Sequence, residues 1–470
     1  MSDVTLFPHQ SEALSVTADK NRVAYYHDMG LGKTYTGGEK LIQLGASVNL
    51  VICQKSKIAD WVDHFRSNYA THKRDYCADN TIFNLTNKKE YEWFLHESKR
   101  ATEEYYIEDE RTGLTYRQEN LYPFYVIGVI NYELAFRRPE LAQLKDFTLM
   151  LDESSLIQNE QAKRSKFILK KLQPANVILL SGTPTGGKYE NLYSQLKLLG
   201  WDISKTTYWN TYINYHYEEY GGFPFKVVDG YKNVDRLKRK MREYGCHFLK
   251  TEDVLDLPEQ IFTTVKVPVS KEYRKFRKDR VVIVKNARLI GIDTDAKYYQ
   301  DVQLVGDNTL TKMLYERQLC AQYSKDKLEA FRDLVESTGD RLIVFYNFND
   351  ELAELIPIVK ECGKPFGSVN GFMKSLTPYE NDANSVTFIQ YQAGAMGLNL
   401  QKANKIIYYS PPLSSELYEQ SKKRINRIGQ NRTCYYYNLT VTGSIEEKIY
   451  KTLAMRKDFT EALFEEGEDD

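Results

Sequence analysis

Short apolar runs rich in Val, Ile, Leu and Tyr recur through the first 180 residues, at 23–26, 48–53, 125–130, 148–151 and 177–180. Turn residues or a stretch of helical periodicity follow each one. Continuous apolar runs of this length, alternating with helical segments, predict parallel strands buried on both faces in a doubly wound α/β domain. The pattern changes between about residues 206 and 324. There, charged helical stretches at 235–243 and 271–285 surround a Gly/Pro/Tyr-rich piece at 215–231, which predicts a helical and hairpin insertion. Strand-like runs resume at 341–346, 386–391, 405–409 and 435–441, so a second α/β domain is expected from about Lys325. The expected divisions are residues 1–205, 206–324 and 325–455, with 456–470 as the end of a last helix and an acidic tail. Residues 103–122, around Asp109-Glu110-Arg111-Thr112-Gly113, read equally as a protruding hairpin or as a surface loop.

Composition narrows this little. The 470 residues suit about two to four domains at roughly 100 to 200 residues each. With 42% hydrophobic and 27% charged residues the chain is globular, and wholesale disorder is excluded. Lys plus Arg (64) equals Asp plus Glu (64), so a polyanion partner has to be held by local basic patches. The six cysteines stand too far apart for zinc-ligand spacing and read as reduced core thiols. No secretory leader and no run of about 18 apolar residues is found, so a cytosolic protein is expected, in the host cytoplasm if viral, or nuclear in a nucleated host. The 36 tyrosines, clustered at 408–409 and 435–437, fit strand cores better than base-stacking platforms.

The chemistry begins at His27-Asp28-Met29-Gly30-Leu31-Gly32-Lys33-Thr34, between a strand and a helix. Gly30 and Gly32 let backbone N–H groups turn around a phosphate, Lys33 supplies a point charge to the β and γ phosphates, and the Thr34 hydroxyl suits Mg²⁺. His27 stands where the general phosphate-loop pattern has its first glycine. The apolar run 147–151 ends in Asp152-Glu153, a strand tip placed to hold Mg²⁺ and to orient the attacking water. Ser181-Gly182-Thr183-Pro184 sets small hydroxyl residues at another strand tip. Near the far end, Gln420-x3-Arg424-x2-Arg427-Ile-Gly-Gln430 offers arginines that a second domain could bring to the phosphates, as arginine fingers are. Together these residues describe an ATPase using ATP and Mg²⁺.

In order and wording these motifs resemble the SNF2 family of superfamily 2 helicase-like ATPases, over about residues 6–463. Leu6-Phe-Pro8-His-Gln10 resembles the family's adenine-reading entry motif, with Gln10 on the base. Residues 53–65, including Trp61, resemble motif Ia, and Ile130-Asn131-Tyr132-Glu133 resembles motif Ib. Asp152-Glu153-Ser154-Ser155 stands for the Asp-Glu-x-His box, with Ser155 in place of the His. Phe345-Tyr-Asn-Phe348, Gly394-Ala-Met-Gly397-Leu-Asn399-Leu and residues 420–430 resemble motifs IV, V and VI. Residues 445–449 resemble the closing brace helix, and His247-Phe-Leu-Lys250-Thr-Glu-Asp253 resembles the stretch leading toward the second core domain.

The resemblance implies two RecA-like domains, ATP contacts at Gly397 and Gln420, and coupling through Ser181, Gly182 and Thr183. It also implies backbone contacts to DNA from Lys55, Ser56, Asn131, Tyr132, Met396 and Asn399, with Lys422 and Lys423 adding charge. The segment 212–233, with the Asp-Glu-Ser of motif II, is more similar to the annealing-helicase and fork-remodelling branch than to nucleosome remodellers. A compact phage or bacterial member acting on duplexes, forks and junctions, with no zinc and no membrane, is the expectation. The alternatives are a motor that displaces DNA-bound proteins and an ATP-dependent DNA clamp with little turnover. The hairpin, tipped by Tyr220, Phe223 and Phe225 and followed by Arg236, Lys238, Arg239 and Lys240, is expected either to wedge at branches or to pack on its own domain.

Overall fold

The computed structural model describes residues 4–69, 81–102, 105–108, 115–118, 125–220, 223–289, 298–394 and 398–464. Contacts within the chain divide it into two units, residues 1–254 with 459–470, and residues 255–458.

The first unit contains β1 (Arg22–His27), β2 (Val48–Cys53), β3 (Ile82–Asn84), β4 (Tyr105–Glu108), β5 (Thr115–Gln118), β6 (Val126–Asn131), β7 (Thr148–Asp152), β8 (Asn176–Ser181), β9 (Ile213–Tyr220), β10 (Phe223–Tyr231) and β11 (Cys246–Leu249). Seven of these form one sheet in the order β11-β1-β8-β7-β2-β6-β3. Every pairing in it is parallel. Successive residues feed opposite cores: Ala24, Leu50, Leu149 and Leu179 pack on one face, and Tyr25, Val51, Met150 and Ile178 on the other. This is why the strands read as unbroken apolar runs. A parallel sheet also puts all strand C-termini on one edge. His27, Cys53, Asn131, Asp152 and Ser181, the last residues of β1, β2, β6, β7 and β8, therefore stand together there, each belonging to one of the sequence motifs.

The second unit contains β12 (Gln260–Val267), β13 (Val281–Leu289), β14 (Tyr298–Val305), β15 (Leu342–Tyr346), β16 (Phe366–Val369), β17 (Val386–Gln390), β18 (Lys405–Tyr408) and β19 (Cys434–Val441). Its sheet runs β12-β19-β18-β15-β17-β16, again wholly parallel. The expected class, two doubly wound parallel sheets, is what the chain forms.

The divisions differ from those expected. Residues 206–324 are not one insertion. The hairpin β9/β10 and β11 belong to the first unit, β11 as the edge of its sheet, whereas β12 is the edge of the second sheet, so that compact unit begins at Leu255. The helix expected at 271–285 stops at Asp279, where Arg280 turns left-handed (φ 62°), and β13 follows, paired antiparallel with β14. Glycine-free Gln260–Val267 escaped notice because an edge strand exposes one face, and its Thr and Lys break up the apolar run. Residues 103–122 hold the antiparallel pair β4/β5, which settles the hairpin reading for the described part.

Tyr408, Tyr409 and Tyr436 are fully buried, as core tyrosines. Cys53, Cys246, Cys320 and Cys434 are buried thiols, Cys362 is half-buried, and Cys77 lies outside the described residues. Among the described residues no helix is long and apolar enough to cross a membrane.

Candidate active site

Between β1 and the helix Lys33–Leu44 the backbone takes positive φ at Gly30 (91°) and Gly32 (72°). At Gly32 a Cβ would also lie 2.2 Å from Gln10 Nε2, so glycine is required twice over. Lys33 Nζ donates to the carbonyls of His27 (2.8 Å) and Asp28 (3.1 Å), which keeps the ammonium over its own loop. It also lies against the β8 tip, where a Cβ on Gly182 would come within 3.4 Å of it. Thr34, half-buried, sits in the first helical turn. Gln10 is buried and its amide is committed to backbone: Oε1 accepts from Phe7 N–H, and Nε2 donates to the Leu31 and Gly32 carbonyls. The structure thus shows Gln10 bracing the phosphate loop from beneath.

His27 fills the position of the missing glycine as a core imidazole. Its Nε2 lies 2.9 Å from His247 Nδ1 on β11, and its Nδ1 is buried without a partner. Burial, with help from the neighbouring His247 and Lys33, holds its pKa well below the usual histidine value, so the ring is neutral.

At the β7 tip, Asp152 receives a hydrogen bond from Trp61 Nε1 to Oδ2 (2.8 Å), and its carbonyl accepts from the Tyr132 hydroxyl (3.0 Å). Burial pushes the Asp152 pKa up, while the Trp61 bond and the Lys33 charge act the other way. Glu153 adopts φ 60°, a left-handed conformation that costs a non-glycine residue about 1 kcal/mol or more. Ser181 Oγ donates to Glu153 Oε1 (3.3 Å) and accepts from Thr183 N–H (3.2 Å), so Ser181 meets Glu153 while Gly182 lies beside Lys33. Thr183 Oγ1 is buried with no partner. Ser155, in place of the family's His, is buried.

Sequence reasoning missed Gln195. Its Oε1 accepts from Ser154 Oγ (2.7 Å) and Tyr26 Oη (3.0 Å), and its Nε2 donates to the Pro184 carbonyl (2.8 Å). One buried amide thereby ties β1, the Asp-Glu tip and the Ser-Gly-Thr-Pro turn together. Its only signal in sequence is a glutamine in the short helix Tyr193–Leu198, which says nothing of burial.

The expected DNA contacts of the first unit divide. Lys55 and Ser56 are exposed on the turn Lys55–Lys57 just past β2. Asn131 is buried, its Nδ2 turned to Glu133. Tyr132, expected at a DNA surface, is instead a core side chain, 1% exposed and spent on the carbonyls of Asp152 and Glu153.

In the second unit Arg427 donates to Asn399 Oδ1, pairing the residues expected as finger and DNA contact. Arg424 is buried, with its carbonyl accepting from Leu400 N–H. Gln420 is buried and donates to Glu416 (3.2 Å). Gln430 closes the turn by donating to the Ala403 carbonyl (2.8 Å). Lys422 is buried against Tyr418 and bound to Glu419 (2.6 Å), and Lys423 is half-buried. Met396 and Gly397 lie outside the described residues.

The hairpin β9/β10 leaves Phe223 79% exposed, with Tyr217 and Phe225 also outward, while Lys226 lies over the rings of Trp209 and Tyr215. In the helix Val234–Glu243 that follows, Lys238 is buried beside Asp235 (3.5 Å) and Lys240 pairs with Glu243 (2.5 Å). Of the four expected basic contacts, Arg236 and Arg239 face outward.

The SNF2-related domain model matches residues 9–325, and the helicase conserved C-terminal domain model matches residues 326–429. The chain is 25% identical over 361 residues to YwqA of Bacillus subtilis, covering 69% of this chain and 36% of that protein. It is 23% identical over 488 residues to the DNA repair and recombination protein RAD26 of Saccharomyces cerevisiae, covering 90% and 43%. Among solved structures, the Sulfolobus solfataricus SWI2/SNF2 ATPase core in complex with dsDNA aligns over 98% of this chain and 93% of that one, with a TM-score of 0.41 and 19% identity. The chain spans less than half the length of these two curated relatives.

Proposed function

The chain belongs to the SNF2 family, and from that premise we propose that it is a DNA-dependent ATPase that converts ATP hydrolysis into movement along double-stranded DNA. The observation that carries this reading is the bonding of Asp152 to Trp61 and Tyr132. Trp61, in the segment after β2 that carries the candidate DNA contact Lys55, holds the carboxylate suited to the nucleotide's metal, and Tyr132, next to the candidate contact Asn131 at the end of β6, holds the backbone carbonyl of the same residue. A shift in either segment reaches the hydrolysis site through one hydrogen bond.

The residues present fit Mg²⁺ and ATP: Asp152 is a buried carboxylate whose raised pKa a cation would reverse, and the Thr34 hydroxyl stands in the first turn of the loop's helix. Thr34 and Asp152 would hold the ion, and bound Mg²⁺ supplies charge neutralisation at the phosphates. Lys33 exchanges its two carbonyls for phosphate oxygens. Glu153, oriented by Ser181, accepts a proton from the attacking water. Arg427, with Arg424 beside it in sequence, acts as the finger that steadies charge developing on the γ-phosphate. Contacts limited to the DNA backbone suit a motor, since they do not depend on sequence.

The finer reading is a role at forks and branched junctions. It is supported by the exposed aromatics of β9/β10, which can wedge where bases are already unstacked. Relatives named for DNA repair and for chromatin remodelling both occur, and the same motor would serve displacement of bound proteins. The test is ATP turnover with single strands, duplex, forks and four-way junctions. Stimulation by duplex supports the motor, and greater stimulation by forks supports the branch role. Turnover that no DNA alters rejects both.

A further inference from the structure

The helix Lys271–Asp279 follows β12, whose last residue, Val267, stands with the tips of β19 (Val441) and β15 (Tyr346) on one edge of the parallel second sheet. Tyr273 and Phe276 bury one side of the helix in a small core with Val267, Val441 and residues of β13 and β14. Phe276 meets the Tyr315 ring edge-on, with centroids 6.1 Å apart, and Arg317 on the same helix as Tyr315 lies over Phe348 of the segment resembling motif IV (4.9 Å). The helix is thus seated on the layer of strand tips that also holds motif IV.

Its opposite side is a stripe of positive charge. Lys271, Arg274, Lys275 and Lys278 are all exposed, and at about 100° per residue they fall within an arc of about 100°. Glu272 and Asp279, the acids of the helix, lie to one side of that arc. Arg274 donates to the Val269 carbonyl (3.2 Å), but none of the four forms an ion pair with a carboxylate among the described residues. Other helix cations are matched: Lys238 with Asp235, Lys240 with Glu243, Lys327 with Glu446 and Arg332 with Glu361. Like charges three and four residues apart destabilise a helix, and Lys271 stands in the first turn, where the helix dipole favours an acid. The stripe therefore weakens the helix that bears it, and its chemistry is that of a site for a polyanion.

At about 1.5 Å per residue, Lys271 and Lys278 stand about 10 Å apart along the axis, a length over which one strand of duplex DNA presents about three phosphates. We propose that this face grips a phosphate strand of duplex DNA, a hold separate from the residues of the sequence motifs. It rests on the motor reading and gives the second unit a contact that does not depend on base sequence.

The test is binding of a fluorescently labelled duplex to the full chain over a range of salt concentrations. Wild type is compared with a variant carrying Lys271→Gln, Arg274→Gln, Lys275→Gln and Lys278→Gln. Loss of four phosphate contacts should lower the slope of log affinity against log salt by about 3 to 4 and weaken binding about tenfold or more at low salt. The melting temperature should not fall, because the substitutions relieve repulsion between like charges. A second variant, Lys271→Arg with Lys275→Arg and Lys278→Arg, keeps the charge and should keep both slope and affinity. Duplex-stimulated ATPase is measured on the same proteins. Wild-type slope and affinity in the Gln variant overturn the stripe, and stimulated turnover there leaves the motor standing. Loss of slope in the Gln variant, in a chain whose turnover no DNA alters, supports the stripe and overturns the motor. An Arg variant as weak as the Gln variant, or a loss confined to single-stranded RNA, also overturns the stripe.

Discussion

One carboxylate oxygen of Asp28 accepts both the backbone N–H (3.0 Å) and the hydroxyl (3.1 Å) of Thr251, a residue 223 positions away. Asp28 follows His27 at the start of the phosphate loop, and Thr251 lies three residues before the last of the first unit's main segment. The candidate phosphate loop is therefore bonded directly to the stretch of chain that leads into the second unit. Asp28→Ala leaves that N–H and hydroxyl without their acceptor, which costs about 1–3 kcal/mol where the groups stay buried. Thr251→Val removes only the hydroxyl bond, worth about 1 kcal/mol. We expect Thr251→Val to keep basal ATP turnover but to reduce its stimulation by duplex DNA several-fold. Equal basal and stimulated rates to wild type would make the bond purely structural.

Lys33→Ala removes the charge aimed at the phosphates but no core contact, so hydrolysis should vanish while the melting temperature stays within a few degrees. Glu153 offers a sharper pair. Glu153→Gln should bind ATP and fail to turn it over, because the amide cannot take the proton. Glu153→Gly should lose turnover and yet gain about 1 kcal/mol of stability at most, since glycine relieves the left-handed backbone at φ 60°. Chemical denaturation of both variants checks this, and a Gly variant less stable than Gln would mean that the conformation carries no strain.

Arg427→Ala should lower kcat by about 10³ or more with a smaller change in nucleotide affinity, as loss of a finger does. Asn399→Ala frees the same guanidinium and should leave kcat within a few-fold while weakening DNA binding. An unchanged kcat in Arg427→Ala would return that side chain to a structural partner of Asn399.

Glu351 in the second unit makes stability depend on pH. It is fully buried, with Oε2 accepting from Asn347 N–H and Ser410 Oγ (2.9 Å each), and burial pushes its pKa from 4.5 up to about 7. Between those values the folded chain holds a proton that the unfolded chain has released. Its contribution is therefore fully present below about pH 4.5 and is lost as pH rises to about 7, on the order of 3 kcal/mol. Urea midpoints at pH 5 and pH 8 should show this slope in the wild type and lose it in Glu351→Gln. The same slope in both would place the titrating group elsewhere.

Most of the fold is legible because doubly buried parallel strands leave unbroken apolar runs, as at Val48–Cys53, and because motif residues follow the strand tips that position them. What escaped were strands with one face in solvent or few residues, such as Gln260–Val267 and Cys246–Leu249, whose partners lie some 170 and 220 residues away in the chain. Within the candidate site, the residue types are legible and their engagement is not. Lys33, Asp152 and Glu153 announce themselves by spacing, but nothing in sequence says that Tyr132 turns inward to hold Asp152, that Lys238 and Lys422 are buried in ion pairs, or that Gln195 joins three strand tips.

The most direct test of the central claim is displacement of a triplex-forming strand from duplex DNA, with ATP present, by wild type and by Glu153→Gln. A translocase strips the third strand at a rate that rises with ATP and is absent in Glu153→Gln, although both bind the duplex. Hydrolysis stimulated by duplex with no strand displaced at any ATP concentration would contradict movement along DNA and leave an ATP-dependent clamp.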